Sequence, residues 1–264
     1  MAMPMKNTDH LPRNLHADRG LEAYKDLRNG REMVGKRVFP VVSIDLSCSF
    51  SEVELTRLYR MIEKALDDQP HRMVQFVSPN HEQDVSDIAL QTAIVAARRI
   101  GKRILFIDTS TPKPILRGEK KSTHAPAASL ETLLLAGGSP YEAIAQAAGT
   151  ELYFARLCSE GIAGLAPVSL TAIQHAMEHL RGYFDMIILD SQAILNDAFG
   201  TGLSKLADGS VMIIEAERTR APVAAECQRL IEASGGRLIG AIMNRRRLYI
   251  PDMLYRLLYQ RDTL

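Results

Sequence analysis

Two strand-end aspartates and one serine are the residues of this chain best placed to do chemistry. Asp108 closes the apolar run Ile104-Leu105-Phe106-Ile107-Asp108, and Asp190 closes Met186-Ile187-Ile188-Leu189-Asp190. A carboxylate at the tip of a buried strand can hold Mg²⁺ or its water beside a phosphorylated ligand. It can equally do no more than accept backbone N–H bonds from the turn that follows. Ser86 stands at the start of a helical pattern, where a hydroxyl can join a metal's oxygen ligands and free backbone N–H groups attract an anion. The turn that leads to it, Ser78-Pro79-Asn80-His81-Glu82-Gln83-Asp84-Val85-Ser86, contains no glycine and no lysine. Glycines let backbone N–H groups close around phosphates, and a lysine neutralises their charge. From Met73 to Asp108 the chain therefore has the strand, turn, helix and strand of a phosphate-binding unit without its grip.

The elements that must position these residues follow from hydrophobic periodicity. Residues 1–42 form a polar arm broken by Pro4, Pro12 and Gly20, with one short helix expected near Leu21 to Leu27; residues 43–264 form the folded domain. Helical patterns cover Ser51 to Leu66, Val85 to Ile100, Leu130 to Leu135, Tyr141 to Ala148, Leu170 to Leu180 and Ala221 to Ser234. Strand patterns cover Met73 to Val77, Arg103 to Ile107, Leu152 to Leu157, Met186 to Leu189, Ser210 to Glu215 and Leu238 to Met243. Short, almost wholly apolar strands alternating with amphipathic helices predict an α/β fold, a mainly parallel sheet between two helical layers. Ligands of such sheets sit outside the carboxyl ends of the strands, so the tips after Val77, Ile107 and Leu189 decide what can bind. Lys113 to Ser129, rich in Pro, Lys, Ser and Ala, reads as a surface loop.

Composition narrows the class further. With 264 residues, 46% hydrophobic and 24% charged, the chain has the make-up of a soluble globular protein. Its formal net charge of +1 gives no reason to expect nucleic acid as a partner. The longest apolar runs, such as Val211 to Ile214, fall far short of the ~20 residues that span a bilayer, and the arm lacks the apolar centre of a signal peptide. Cys48, Cys158 and Cys227 are widely spaced, which favours buried thiols in a reducing cytoplasm over disulfides or zinc. Among the seven histidines only His175 and His179 stand at i,i+4, so no metal site is expected.

Three stretches carry a specific resemblance. Phe76 through Thr109, Tyr183-Phe184-Asp185-Met186-Ile187-Ile188-Leu189-Asp190-Ser191 and Asp208 through Asn244 resemble the cytoplasmic domain of bacterial tyrosine autokinases. That family is a MinD/ParA-like branch of the P-loop ATPases and works with chain-length determinant proteins of polysaccharide export. The resemblance runs from residue 50 to residue 258, and Tyr249-Ile250-Pro251-Asp252-Met253-Leu254-Tyr255-Arg256 resembles the end of members encoded with exopolysaccharide machinery. It implies a P-loop NTPase-like three-layer sandwich. Aligned without gaps, the family's Walker A lysine falls on Val85, its Mg²⁺ serine on Ser86, and its glycines on Glu82 and Asp84. The second aspartate of the Walker A′ strand end falls on Ser110, with Thr111-Pro112 in place of the following arginine. The Walker B aspartate is Asp190, with Gln192-Ala193 where the family carries two prolines.

What the resemblance implies is mixed. Asp108 and Asp190 are remnants of the catalytic set, and Ser86 and Asn244 are vestiges of the nucleotide site. Glu54-Leu55-Thr56-Arg57-Leu58-Tyr59-Arg60 reproduces the Glu-x-x-Arg-x-x-Arg motif by which the kinases assemble into rings. Glu54, Arg57 and Arg60 are therefore the expected contacts of a homo-oligomer, spaced along one stripe of a helix. Tyr249, Tyr255 and Tyr259 stand where autokinases carry a tyrosine cluster, and Arg245-Arg246-Arg247 form a compact basic patch before them.

Magnitudes then weigh on function. At an effective dielectric of about 20, unit charges ~4 Å apart interact by ~4 kcal/mol, and each ~1.4 kcal/mol is tenfold in affinity. Exchanging the lysine for Val85 and adding Glu82, Asp84 and Asp87 weakens phosphate binding by several orders of magnitude. Asp84, at the expected N-cap, and Asp87 supply carboxylates to the helix N–H groups instead. The expectation is a catalytically impaired protein with no catalytic residue, bound cofactor or metal. It would act as a scaffold or regulator of exopolysaccharide synthesis and export. A membrane-bound chain-length determinant or another export protein would hold it at the cytoplasmic face of the inner membrane. The alternative is an active ATP-dependent tyrosine autokinase that uses Mg-ATP, with Lys102, Lys113 or a partner's basic residue in place of the lysine. A positioning ATPase of MinD/ParA type is disfavoured, because the turn also lacks that group's signature lysine.

Overall fold

A computed structural model describes residues 39, 41–42, 50–66, 71–80, 84–109, 128–157, 170–196 and 198–245. These build an eight-stranded sheet in the order β1-β4-β5-β3-β6-β2-β7-β8. Its strands are β1 Val41–Val42, β2 Arg72–Ser78, β3 Ile104–Asp108, β4 Ala145–Ala147, β5 Leu152–Arg156, β6 Met186–Ala193, β7 Gly209–Glu215 and β8 Leu238–Asn244. Every pairing is parallel except β4 with β5. The helices are α1 Glu52–Ala65, α2 Asp84–Val95, α3 Leu130–Leu135, α4 Leu170–Arg181, α5 Ala198–Ser204 and α6 Ala221–Ala233.

Side-chain alternation sorts the core into two layers. Val74 and Phe76 of β2, Ile104 and Phe106 of β3, Met186 and Ile188 of β6, and Val211 and Ile213 of β7 face α1 and α2, where Tyr59, Ile62, Ile88 and Ala89 meet them. The intervening residues, among them Met73, Leu105, Ile107, Ile187 and Leu189, face Ile173, Met177 and Leu180 of α4. Farther along that second face, Val77 and Met212 meet Cys227 and Ile231 of α6. β2, β3 and β6 are buried on both sides, which is why they read as mainly apolar runs, β2 being interrupted at Gln75.

Local chemistry sets the element ends. Ser51 caps α1, its hydroxyl accepting from the Glu54 N–H at 3.4 Å, while Glu52 and Glu54 suit the positive end of the helix and Lys64 the negative end. α2 continues as a wider π-type turn, Ala96–Ile100, and stops at Gly101, whose φ of 75° is left-handed. At the amino end of the sheet, Glu63 accepts from Arg60 at 2.7 Å and lies 3.3 Å from Arg72 and 3.8 Å from Lys102.

The expected helix over Tyr141 to Ala148 is not formed. Pro140–Ala143 make a short 3-10 turn, and Ala145–Ala147 enter the sheet as β4 between β1 and β5. Burial of Ala145 and Ala147 inside the sheet outweighs the helix propensity of alanine. Two further elements, β1 and the glycine-bearing α5, were not anticipated. The arm expected over 1–42 lies almost wholly outside the described residues, as do Ser110 and most of the loop at 113–129.

Candidate functional site

Side-chain parity brings three of the expected residues together. Asp108 and Asp190 are register partners at the ends of the adjacent strands β3 and β6. Counting by two from Ile104 and Phe106, and from Met186 and Ile188, both carboxyls point to the face covered by α2. Ser86, in the first turn of α2, comes against Asp190 from above. The Thr109 hydroxyl donates to the Asp190 carbonyl at 2.7 Å, and its N–H donates to the same oxygen at 3.2 Å, so the two strand tips are tied together.

The neighbouring charges that bear on Asp190 are acidic. Asp190 is 0% exposed, and neither carboxylate oxygen has a hydrogen bond of normal geometry. Burial pushes its carboxyl up from the ordinary 3.8 to about 7; the Ser86 hydroxyl pulls down, while the negative charges of Asp108 and Asp87 push up further. Near neutral pH Asp190 is therefore close to half protonated, the uncharged form being what a buried carboxyl without a cation adopts. Asp108 is buried as well, and Asp87 is exposed.

Val85, the residue that the resemblance aligns with the kinases' lysine, packs inward. Its side chain is 1% exposed and joins Ile88, Ala89 and Phe76 in the core beneath α2. The helix opens at Asp84, which is its first residue and not its cap. Ser78 is buried at the tip of β2, its hydroxyl donating to the Asn80 carbonyl.

Toward a phosphate these residues are mostly acidic: Ser86 lies against Asp190, which feels the negative charges of Asp108 and Asp87, and the position aligned with the kinases' lysine carries a packed valine, while Arg156 is the register partner of Asp108 at the tip of β5. Lys102, one substitute considered for the lysine, lies just before Arg103 and Ile104 at the amino end of β3, facing Glu63. That is the opposite end of the sheet from Asp108. Lys113 lies outside the described residues. A hard cation takes oxygen ligands of the kind Asp108, Asp190 and Ser86 offer, yet among the described residues no group of three or more His, Cys, Asp or Glu is arranged to hold a metal.

Other expected residues lie apart. Asn244 ends β8, three strands along the sheet from Asp190, or about 14 Å at ~4.8 Å per strand. Glu54, Arg57 and Arg60 are all exposed on α1. Glu54 and Arg57 line a groove between α1 and β8, whereas Arg60 turns away to Glu63. Of the basic patch, Arg245 has a φ of 54° and pairs with Glu215 at 3.2 Å. Arg246, Arg247, Tyr249, Tyr255 and Tyr259 lie outside the described residues. Cys227 is buried and its thiol is pushed up to about 12 by burial, as expected of an inert cysteine; Cys48 and Cys158 lie outside.

One polar cluster escaped sequence reasoning. On the opposite face of the sheet the Gln75 amide donates to Ser191 Oγ at 2.9 Å and to the Gly200 carbonyl at 2.8 Å, and its oxygen accepts from Ser210 at 3.0 Å. All three side chains are fully buried and bonded, so the cluster pins α5 to the sheet. A lone glutamine inside a strand-like run was its only trace in the sequence.

Known proteins place the chain further. No family model matches it. The tyrosine-protein kinase YwqD of Bacillus subtilis (strain 168) is 29% identical over 190 residues, which cover 71% of this chain and 78% of the kinase. The kinase domain of VpsO superposes with a TM-score of 0.62 at 19% identity, covering 74% of this chain and 94% of that domain. The MinD cell division protein of Aquifex aeolicus superposes with a TM-score of 0.52 at 17% identity, covering 70% of this chain and 72% of MinD. Among the described residues no helix is long and apolar enough to cross a membrane. The resemblance read from the sequence is thereby borne out: this chain is similar in sequence to a bacterial tyrosine kinase and has the P-loop NTPase-like α/β fold that such kinase domains share with MinD.

Proposed function

We propose that this protein is a catalytically impaired relative of the tyrosine autokinases, kept as a scaffold or regulator of exopolysaccharide synthesis and export. The observation that carries the reading is Val85, packed in the core at the lysine position beneath a cluster of carboxyls. Val85 offers phosphate no charge, and the neighbouring carboxyls disfavour it; the basic group that the described strand tips bring near is Arg156, the register partner of Asp108 on β5. A fold that keeps its sheet while its site turns acidic and self-contained is retained for its surfaces. The partner that fits is a cytoplasmic segment of a membrane-bound chain-length determinant or another export protein, which would bring the chain to the inner membrane. Arg245 to Arg247 with the tyrosines from Tyr249 to Tyr259 form the proposed docking surface, since arginine and tyrosine are favoured interface anchors.

Deletion of the gene should reduce exopolysaccharide output, and a Ser86→Ala, Asp190→Ala variant should restore it. If that variant is folded and abundant but fails to complement, the site binds ligand or does chemistry, and the scaffold reading falls. The second reading, an active Mg-ATP-dependent autokinase, is favoured by the similarity to YwqD and by the persistence of Asp108, Asp190 and Ser86. Incorporation of labelled phosphate into tyrosine by the purified chain, abolished in the same variant, would establish it.

A further inference from the structure

Nε and Nη2 of Arg156, at the end of β5, are both buried, and neither has a hydrogen-bond partner among the described residues. Those two nitrogens form the side-on edge of the guanidinium, the fork that grips two oxygens of one anion at once. Leu152 and Phe154 belong to the core facing α1 and α2, so Arg156, two residues on, falls on the same face of the sheet as Asp108 and Asp190. Asp108 is its register partner on β3, and Asp190 on β6 is in turn the register partner of Asp108. The three side chains stand in one row across adjacent strand tips, with ~4.8 Å from strand to strand. A buried donor without an acceptor costs free energy, most of all on a charged group. A guanidinium cannot shed its proton to escape that cost. Arg156 as a whole is part-exposed, so the fork lies just beneath the surface rather than deep in the core.

We propose that the tips of β5 and β3 form a site for a small organic acid, its carboxylate gripped by the Arg156 fork. Charge favours a carboxylate over a phosphate. A carboxylate brings one negative charge, which Arg156 balances, whereas a phosphate group brings about −1.5 to −2 at pH 7 into a row that already holds Asp108 and Asp190. Shape agrees, because the fork is withdrawn from solvent and a flat carboxylate reaches it more easily than a tetrahedral anion. Asp108 does not fill the fork, although it stands on the neighbouring strand. The row is also held in place beforehand: the Leu157 N–H donates to the Asp108 carbonyl at 2.9 Å, tying β5 to β3, and the Thr109 hydroxyl donates to the Asp190 carbonyl at 2.7 Å, tying β3 to β6. A fork fixed in this way loses little freedom when an anion arrives.

In the full chain carrying isotope-labelled arginine, the fork reports through the Nε–H resonance of Arg156, assigned by its loss in Arg156→Lys. Formate and acetate, titrated at fixed ionic strength against chloride, should move that resonance downfield and saturate. Phosphate should bind about tenfold more weakly than acetate or worse. Both acids should raise the melting temperature of the wild type above the chloride control. Arg156→Lys keeps the charge and loses the fork, so acetate affinity read from melting should fall about tenfold or more. Arg156→Gln, which removes the charge as well, should abolish the stabilisation and serves if the lysine variant folds poorly. A resonance that neither acid moves overturns the proposal, whether the fork is filled from within the chain or left empty. So does equal stabilisation of the wild type and both variants, or a tighter response to phosphate than to acetate.

Discussion

Replacing Asp190 by asparagine should stabilise the protein at neutral and alkaline pH relative to mild acid. The carboxyl is fully buried and its pKa is raised to about 7 in the folded chain, against 3.8 when exposed. Between those values the folded state holds a proton that the unfolded state releases, so stability falls as pH rises. Asp190's contribution is thus fully present below about pH 4, is lost as pH climbs through 7, and is constant above about 8. Each pKa unit is worth about 1.4 kcal/mol, so the whole span amounts to roughly 4 kcal/mol. Asparagine has nearly the shape of the protonated acid and does not titrate. The assay is urea unfolding of both proteins from pH 5 to 9, read as the difference in unfolding free energy, which cancels every other titrating group. The gain from Asp190→Asn should grow by about 3 kcal/mol over that range, most steeply between pH 5 and 7, and level off above pH 8. A difference that stays flat with pH would mean that Asp190 is not held neutral by burial, and the description of the acidic cluster would be wrong.

Other expectations follow from the same structure. Val85→Lys should fail to restore tyrosine phosphorylation, since Glu82, Asp84 and Ser110 would remain, and should lower stability because the side chain it replaces is in the core; labelled-phosphate incorporation and thermal melting report on the two. Glu63→Gln should cost about 3 kcal/mol or more in urea unfolding, because it leaves the buried Arg72 beside Lys102 without its carboxylate; a loss under 1 kcal/mol would show that the ion cluster is well solvated. Self-association should weaken with salt and with Arg57→Ala plus Arg60→Ala in light scattering. Of the two, Arg57 should matter more, because Arg60 is already engaged by Glu63. Equal masses of wild type and variant at every salt concentration would count against assembly through α1.

The sequence made legible what depends on burial period and strand ends. β2, β3, β6 and β7 are apolar on both faces, and the rule that ligands gather at strand tips led directly to the apposition of Asp108 and Asp190. β4 was misread because Ala-Gln-Ala has no strand signature, and its place is set by β1 and β5 on either side. α5 was missed because Gly200 and Gly202 are poor helix formers and the Gln75 cluster, formed from distant strands, holds the helix in place. The inward packing of Val85 and the raised pKa of Asp190 depend on contacts between α2, β3 and β6 that no local pattern encodes. The α1–β8 groove was equally hidden, since Leu238 to Met243 reads like any core strand and only the sheet order makes it an edge.

Calorimetric titration of the purified chain with Mg-ATP and Mg-ADP tests the central claim most directly. With Val85 in the core and carboxyls at the strand tips, the isotherm should be flat through physiological millimolar nucleotide. Saturable binding below ~0.1 mM, an interaction of ~5.5 kcal/mol, would contradict it.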